Sequence, residues 1–164
     1  MSGETAFVVN ARDVDWRQRE GLGLTADFEG DHEFEELGFR LVVLDPGVPN
    51  CMYHGESVTE DFLVVSGECL LVIEGEERHL KQWDFVHCPP WTNHAFVGAG
   101  DGSCVIVMVS PRDPDGKILY PVSEVAAKHG ASVLEETPNP QDAYARFPRP
   151  ERTPYREGDL PDLG

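Results

Sequence analysis

The sequence predicts an all-β fold, a sandwich or a barrel, and three observations carry that expectation. Short apolar runs recur from Phe39 to Val109, rich in Val, Leu, Ile and Phe. Turn signals separate them at close intervals: Asp45-Pro46-Gly47, Ser66-Gly67-Glu68, Glu74-Gly75-Glu76 and Pro89-Pro90. No stretch with helical periodicity interrupts the series. Short strands joined by tight turns, without crossover helices, bury their apolar faces against one another.

Taken in order, the chain reads as an N-terminal arm (1–38), a β-core (39–110) and a C-terminal segment (111–164), within one structural domain. In the arm, Phe7-Val8-Val9 predicts a short strand, and Gly21 to Phe34 an extended path with bends. Trp16, Leu22, Leu24, Phe28 and Phe34 need a surface to bury against. The core opens with a strand over Phe39–Leu44. Further strands are expected over Asn50–His54, Phe62–Val65, Cys69–Ile73, Glu77–Leu80, Trp83–Cys88, Ala95–Val97 and Cys104–Val109. Glu74-Gly75-Glu76 closes a hairpin, and Pro89-Pro90 ends a strand because proline has no N–H for the ladder.

Beyond Ser110, Pro121–His129 predicts a short helix stopped by Gly130. Asn139-Pro140 predicts the start of a second, reaching Phe147, with proline at its first position. From Pro148 the chain is charged and Pro-rich, suited to an arm across the barrel. Two core strands, Cys69–Ile73 and Cys104–Val109, are apolar on both faces. A barrel strand needs only its inner face apolar, so the outer face must be covered too. The arm, the C-terminal segment or a second subunit could cover it, and a homodimer is the preferred expectation.

Composition narrows the partners. Hydrophobic content of 40% and charged content of 26% are ordinary for a globular chain. A formal charge of −17 is not. It argues against nucleic acid and anionic membrane surfaces as partners, both of which would be repelled, and favours attraction of cations. The longest apolar run, Cys104–Val109, is far short of a membrane span, and Met1–Val9 lacks the pattern of a secretory signal. Cys51, Cys69, Cys88 and Cys104 form no C-x-x-C pair, which suits buried thiols in a reducing compartment. A cytoplasmic location is expected.

The residues expected to carry chemistry are His54, Glu56, Glu60 and His94. His54 and Glu56 are two apart and share a face of any strand that holds both. Glu60 precedes the Phe62–Val65 run, and His94 follows the Pro89-Pro90-Trp91-Thr92-Asn93 turn. Two imidazoles and two carboxylates converging from separate strands would make a divalent metal site. Tyr53, Phe62, His87, Trp91 and Phe96 are the pocket candidates near them. His32, His79 and His129 carry no expected role.

The layout resembles the cupin superfamily, in its small single-domain, RmlC-like form. The first cupin motif runs from a Gly through a His-x-His pair to a Glu and a second Gly. Gly47, His54, Glu56, Glu60 and Gly67 take those places, with one extra residue after Gly47. The second motif's places fall to Trp83, Pro89, Trp91, His94 and Gly98. Glu56 stands where the family's second His is usual, Trp83 and Trp91 where it has glycines, and Gly98 where it has Asn. Tryptophan lacks glycine's φ freedom, so a different local backbone is expected at both turns. The resemblance implies a double-stranded β-helix, or jelly roll, with a metal near its mouth.

The ion would be Fe, Mn, Zn or Ni, held by His54, Glu60 and His94, with Glu56 as a fourth ligand or as a pocket acid. Resemblance to metallocupins implies an enzyme of dioxygenase or isomerase class acting on a small organic molecule. The alternative is a non-catalytic binding or sensory module. An open coordination position facing an enclosed pocket would favour the enzyme; a closed shell or filled barrel would favour the module.

Overall fold

The structure is a computed structural model and describes residues 6–162 apart from 31 and 33, so part of the Met1–Val9 stretch lies outside the described residues. Twelve strands and two short helices are present among them. The strands are β1 (Trp16–Gln18), β2 (Leu24–Asp27), β3 (Leu37–Leu44), β4 (Gly55–Glu56), β5 (Glu60–Ser66), β6 (Glu68–Ile73) and β7 (Glu76–Lys81). Then come β8 (Phe85–Cys88), β9 (His94–Ala99), β10 (Cys104–Pro111), β11 (Ile118–Leu119) and β12 (Glu151–Thr153). The helices are α1 (Glu124–Ala127) and α2 (Pro140–Ala143).

Three antiparallel sheets result. The largest has the order β12-β1-β2-β3-β10-β5-β8, the second β7-β6-β9, and the third β11-β4. The first two pack face to face as a double-stranded β-helix. Their inner faces meet in one apolar core holding Val42, Leu44, Phe62, Val64, Leu71, Phe96 and Ile106. Each of these alternates along its strand with a residue on the outer face, as the period of two requires.

The outer faces of the doubly apolar strands are covered by the chain itself. On β10, Val105 packs with Trp16, Ala26 and Val43, joined by Tyr155 and Leu160 from the C-terminal end. On β6, Val72 packs with Tyr53, Ala95, Ala126 and Ala131, the last two from α1 and the turn after it. The arm is therefore no loose wrapping: β1 and β2 extend the large sheet, and β12 extends it again by pairing with β1. Trp16 is wholly buried there and donates its indole N–H to the Ala11 carbonyl at 2.9 Å. Of the covers expected, the arm and the C-terminal segment both take part.

Other sequence expectations shift locally. Phe7–Val9 is not a strand; Phe7 stacks on His32 with ring centroids 5.1 Å apart, and Val8 is fully exposed. Asn50–His54 is irregular, with isolated bridges from Pro49 to Val97 and from His54 to His94 in place of a strand. Proline at 49 and the branching of hydrogen bonds to the Asn50 side chain, which accepts from Phe96 N–H, replace a regular ladder. Both helices are shorter than expected. α1 begins only after Ser123, whose side chain accepts from Ala126 N–H, and Asn139 caps α2 with Pro140 at its first position. No helix among the described residues is long and apolar enough to cross a membrane.

Candidate metal centre

The site forms where three inner strand faces change chemistry at one end of the barrel. Along β9 the inner residues are Gly98, Phe96 and then His94; along β5 they are Val64, Phe62 and then Glu60. β3 runs Leu44, Val42 and then Arg40. His54 reaches the same place from the irregular segment, because its backbone exchanges two hydrogen bonds with His94 (3.2 and 2.9 Å). Glu56 follows two residues later on β4, on the same side as His54.

His54, Glu60 and His94 each present a ligand atom within 4.8 Å of the other two. Both histidines are buried. His54 Nδ1 lies 2.7 Å from the Met52 carbonyl and His94 Nδ1 2.9 Å from the Thr92 carbonyl. A carbonyl oxygen can only accept, so both Nδ1 atoms carry hydrogen and both Nε2 atoms are left with lone pairs. Those lone pairs face carboxylates: His94 Nε2 lies 3.4 Å from Glu60 Oε2, and His54 Nε2 3.5 Å from Glu56 Oε1. Lone pair against carboxylate is repulsive unless a cation, proton or metal, is shared between them. Backbone-anchored imidazoles and an inward carboxylate are the donor set and outer support that a divalent ion such as Zn²⁺, Mn²⁺ or Fe²⁺ uses, so the residues fit the group.

The protonation pattern reflects this crowding. Burial and the neighbouring charge of Glu56 push the Glu60 carboxyl up to about 7. Burial, with the His54 charge, pushes His94 down to about 4. For His54 burial opposes charge, but Cys51, Glu56 and Glu60 outweigh it and hold the imidazole well above its ordinary range. The hydrogen bond from His54 holds Glu56 below the usual carboxylate range. Without a metal, a proton on His54 is shared with Glu56, and the raised Glu60 carboxyl faces the neutral His94.

Glu56 is brought near but does not join the close set. Its carboxylate is about one-third exposed and lines a cavity of about 340 Å³ beside Glu60 and Phe62. Arg40, Met108, Lys117 and Ile118 complete much of that wall. Of the pocket candidates, only Phe62 lines it. Phe96 lies beneath, with its ring centroid 4.7 Å from that of Phe62. Tyr53 faces away into the cluster under α1, where its hydroxyl accepts from Gly75 N–H at 3.1 Å. His87 sits on the exposed outer face of β8, its Nδ1 2.7 Å from Asp61. Its parity with Phe85 carries it outward, because Val86 and Cys88 take the inner positions.

Trp91 stands on the rim, half-exposed, with its backbone N–H bonded to the Glu56 carbonyl. The backbone expected to differ at Trp83 and Trp91 keeps a glycine-like shape instead. Trp83 has φ 75° and Trp91 φ 66°, both in the left-handed region. Trp83 N–H bonds to the Val64 carbonyl at 2.7 Å and Trp91 N–H to that of Glu56, so each turn is pinned in its left-handed backbone from outside. At Gly98 a side chain is excluded outright: an added Cβ would fall 2.1 Å from the Asp45 carbonyl oxygen.

Sequence reasoning missed Arg40, Lys117 and Tyr120. Arg40 carried a signal, since it interrupts the inner alternation of Arg40, Val42 and Leu44 with a charge. Tyr120 carried none; it is buried with its ring centroid 5.5 Å from that of His54, and it comes from a segment far along the chain.

A family model for the cupin domain matches residues 40–110, the span that holds all four expected ligands. The chain thus carries a cupin domain over that span. Solved structures agree on the fold. A cupin-superfamily sugar phosphate isomerase from Silicibacter pomeroyi is 18% identical, covers 68% of this chain and 79% of its own, and superposes with a TM-score of 0.62. KdgF from a Halomonas species is 26% identical, over 68% of this cupin and 98% of its own chain, with a TM-score of 0.56. An RmlC-like cupin from Shewanella frigidimarina is 16% identical, over 68% and 95%, with a TM-score of 0.56. Among curated proteins, none matches this cupin significantly.

Proposed function

We propose that this cupin is a metal-dependent enzyme acting on a small organic molecule, with His54, Glu60 and His94 holding one divalent ion (Fe, Mn, Zn or Ni). The observation that carries the reading is the convergence of two carbonyl-anchored imidazoles and one buried carboxylate beside a cavity of small-ligand size. Three protein ligands leave coordination positions open, which favours an enzyme over a closed binding module. When bound, the ion supplies Lewis-acid polarisation of a ligand oxygen.

Glu56 distinguishes between reaction classes. Held ionised by His54 and partly exposed to the cavity, it can accept a proton from a bound ligand and return it elsewhere. That favours the isomerase class, proton transfer next to a polarised carbonyl, over the dioxygenase class, which needs no such base. Phe62 and Met108 give the ligand's carbon skeleton an apolar wall and exclude water from it.

Paired substitutions test the assignment. Glu60→Gln is expected to abolish metal binding, and Glu56→Gln to keep one ion per chain. If Glu56→Gln loses the ion as well, Glu56 is a fourth ligand and no base stands free. Oxygen uptake by the Fe²⁺-loaded protein with candidate acids or phenols would instead favour the dioxygenase class. The four thiols are all free, which supports a reducing, cytoplasmic setting. A homodimer belongs to the same proposal on narrower ground. β8 ends its sheet with an open edge, and Trp83 and Phe85 beside it are about two-thirds exposed. Light scattering should then give about twice the 18.2 kDa chain mass.

A further inference from the structure

We propose that the cavity beside the metal centre holds an anionic group of its ligand, a carboxylate or a phosphate, and that Arg40 with Lys117 is the pair that binds it. The inference rests on the metal-centre reading for its location, but on different residues for its content. The chain carries 30 acidic and 13 basic residues. Against that excess, Arg40, Arg112 and Lys117 all line the cavity beside Glu56 and Glu60.

The other charges around this cavity are accounted for. Arg112 is ion-paired with Glu29. Asp113 is engaged in its own turn, accepting from Asp115 N–H at 3.0 Å. Glu56 and Glu60 belong to the metal centre. Arg40 and Lys117 are left, and among the described residues neither has a carboxylate within 4.0 Å. Their backbones are fixed. Arg40 is in the middle of β3, paired with Met108 on one side and Asp27 on the other. Lys117 is tied to Ser57 by two hydrogen bonds, each of 2.8 Å, one through the Ser57 hydroxyl and one between backbones.

The position of Arg40 makes a structural role a poor explanation. It occupies an inward-parity position of a barrel strand, where Val42 and Leu44 supply core, yet its side chain is exposed at the mouth. A guanidinium there presents a planar fork of donors to a carboxylate or phosphate, and Lys117 adds a point charge across the cavity. A second groove, lined by Arg19, Arg149 and the Arg17–Asp27 ion pair, meets the first at Arg40. Cations thus continue outward from the site, a path that would draw an anion toward it through an otherwise repelling surface.

The test uses the full chain loaded with Mn²⁺ and titrated calorimetrically with malonate and with inorganic phosphate. Wild type, Arg40→Met and Arg40→Lys are compared, and the Mn²⁺ affinity and melting temperature of each are measured separately. Anion affinity should fall about tenfold or more in Arg40→Met and recover in part in Arg40→Lys, with Mn²⁺ affinity undiminished. Preference for phosphate would identify a phosphate monoester as the ligand class, preference for malonate a carboxylic acid. Equal anion affinity in folded, Mn²⁺-loaded Arg40→Met would overturn the proposal, as would equal binding of uncharged malonamide. If the chain binds no Mn²⁺, the metal reading fails by itself. The same titration of metal-free protein then decides the subsite: Arg40-dependent binding sustains it, and its absence overturns it.

Discussion

The floor and the mouth of this barrel are built from the same strands, and they differ by one step of two residues. On β3, β5 and β9 the inner face is Val42, Phe62 and Phe96 at one level and Arg40, Glu60 and His94 at the next. Below the step every inner side chain is apolar and buried, and its contribution comes from water exclusion and close packing. Above it the side chains are charged or basic: His94 is held by the Thr92 carbonyl and faces Glu60, and Arg40 stands exposed at the mouth. Stability is concentrated below the step and chemistry above it.

The largest test of that division is Phe96→Ala. Phe96 is fully buried and touches both Phe62 and His94, so truncation should cost about 3–5 kcal/mol in denaturant unfolding. Glu60→Gln, one level up, should leave the metal-free protein as stable as wild type or more so, because it removes a buried acid beside Glu56. A loss as large as that of Phe96→Ala would erase the distinction between floor and mouth.

pH sharpens the comparison next. The Glu60 carboxyl, near 7 in the folded chain against an ordinary 4.5, holds a proton that the unfolded chain has lost. Its contribution to metal-free stability is present below 4.5 and is lost as pH rises through 7. His94, near 4 against an ordinary 6.5, has the opposite sign: its contribution is present above 6.5 and is lost as pH falls through 4. A metal ion needs both groups deprotonated, so the gap in melting temperature between metal-loaded and metal-free protein should widen from pH 5.5 to pH 7.5. A gap independent of pH over that range would mean that Glu60 is no ligand.

The smallest effect belongs to the rim. Trp83 is two-thirds exposed and sits at φ 75°, so Trp83→Gly should relieve strain and raise stability by about 1 kcal/mol. Destabilisation by that change would show that the indole packs more than its exposure implies.

How much of this was legible in the sequence follows from the same step. The core strands announced themselves because apolar side chains at period two have one use in a barrel, and Phe62–Val65 and Cys69–Ile73 lie within the strands observed. The His54, Glu60 and His94 trio was readable through motif spacing, since turns of set length bring those positions to one end. Asn50–His54 was misread as a strand because its hydrogen bonds go to side chains and isolated bridges, which leave no periodic trace. Tyr53 and His87 were misplaced for a related reason: proximity in sequence to a ligand says nothing about which face a side chain takes. The burial of Trp16 against Val105 and the approach of Tyr120 to His54 join distant segments, and no local pattern encodes such contacts.

The central claim is that the mouth of this barrel is a divalent metal site, and melting with and without metal tests it most directly. Protein purified without chelator or histidine tag should carry one divalent ion per chain by elemental analysis. Stripping it with chelator should lower the melting temperature, and Mn²⁺, Fe²⁺ or Zn²⁺ at a hundredfold excess over its Kd should restore about 2.7 kcal/mol. His94→Ala should neither bind the ion nor respond to it. A stripped wild type that takes up no ion and melts at the same temperature with every metal tried would contradict the account.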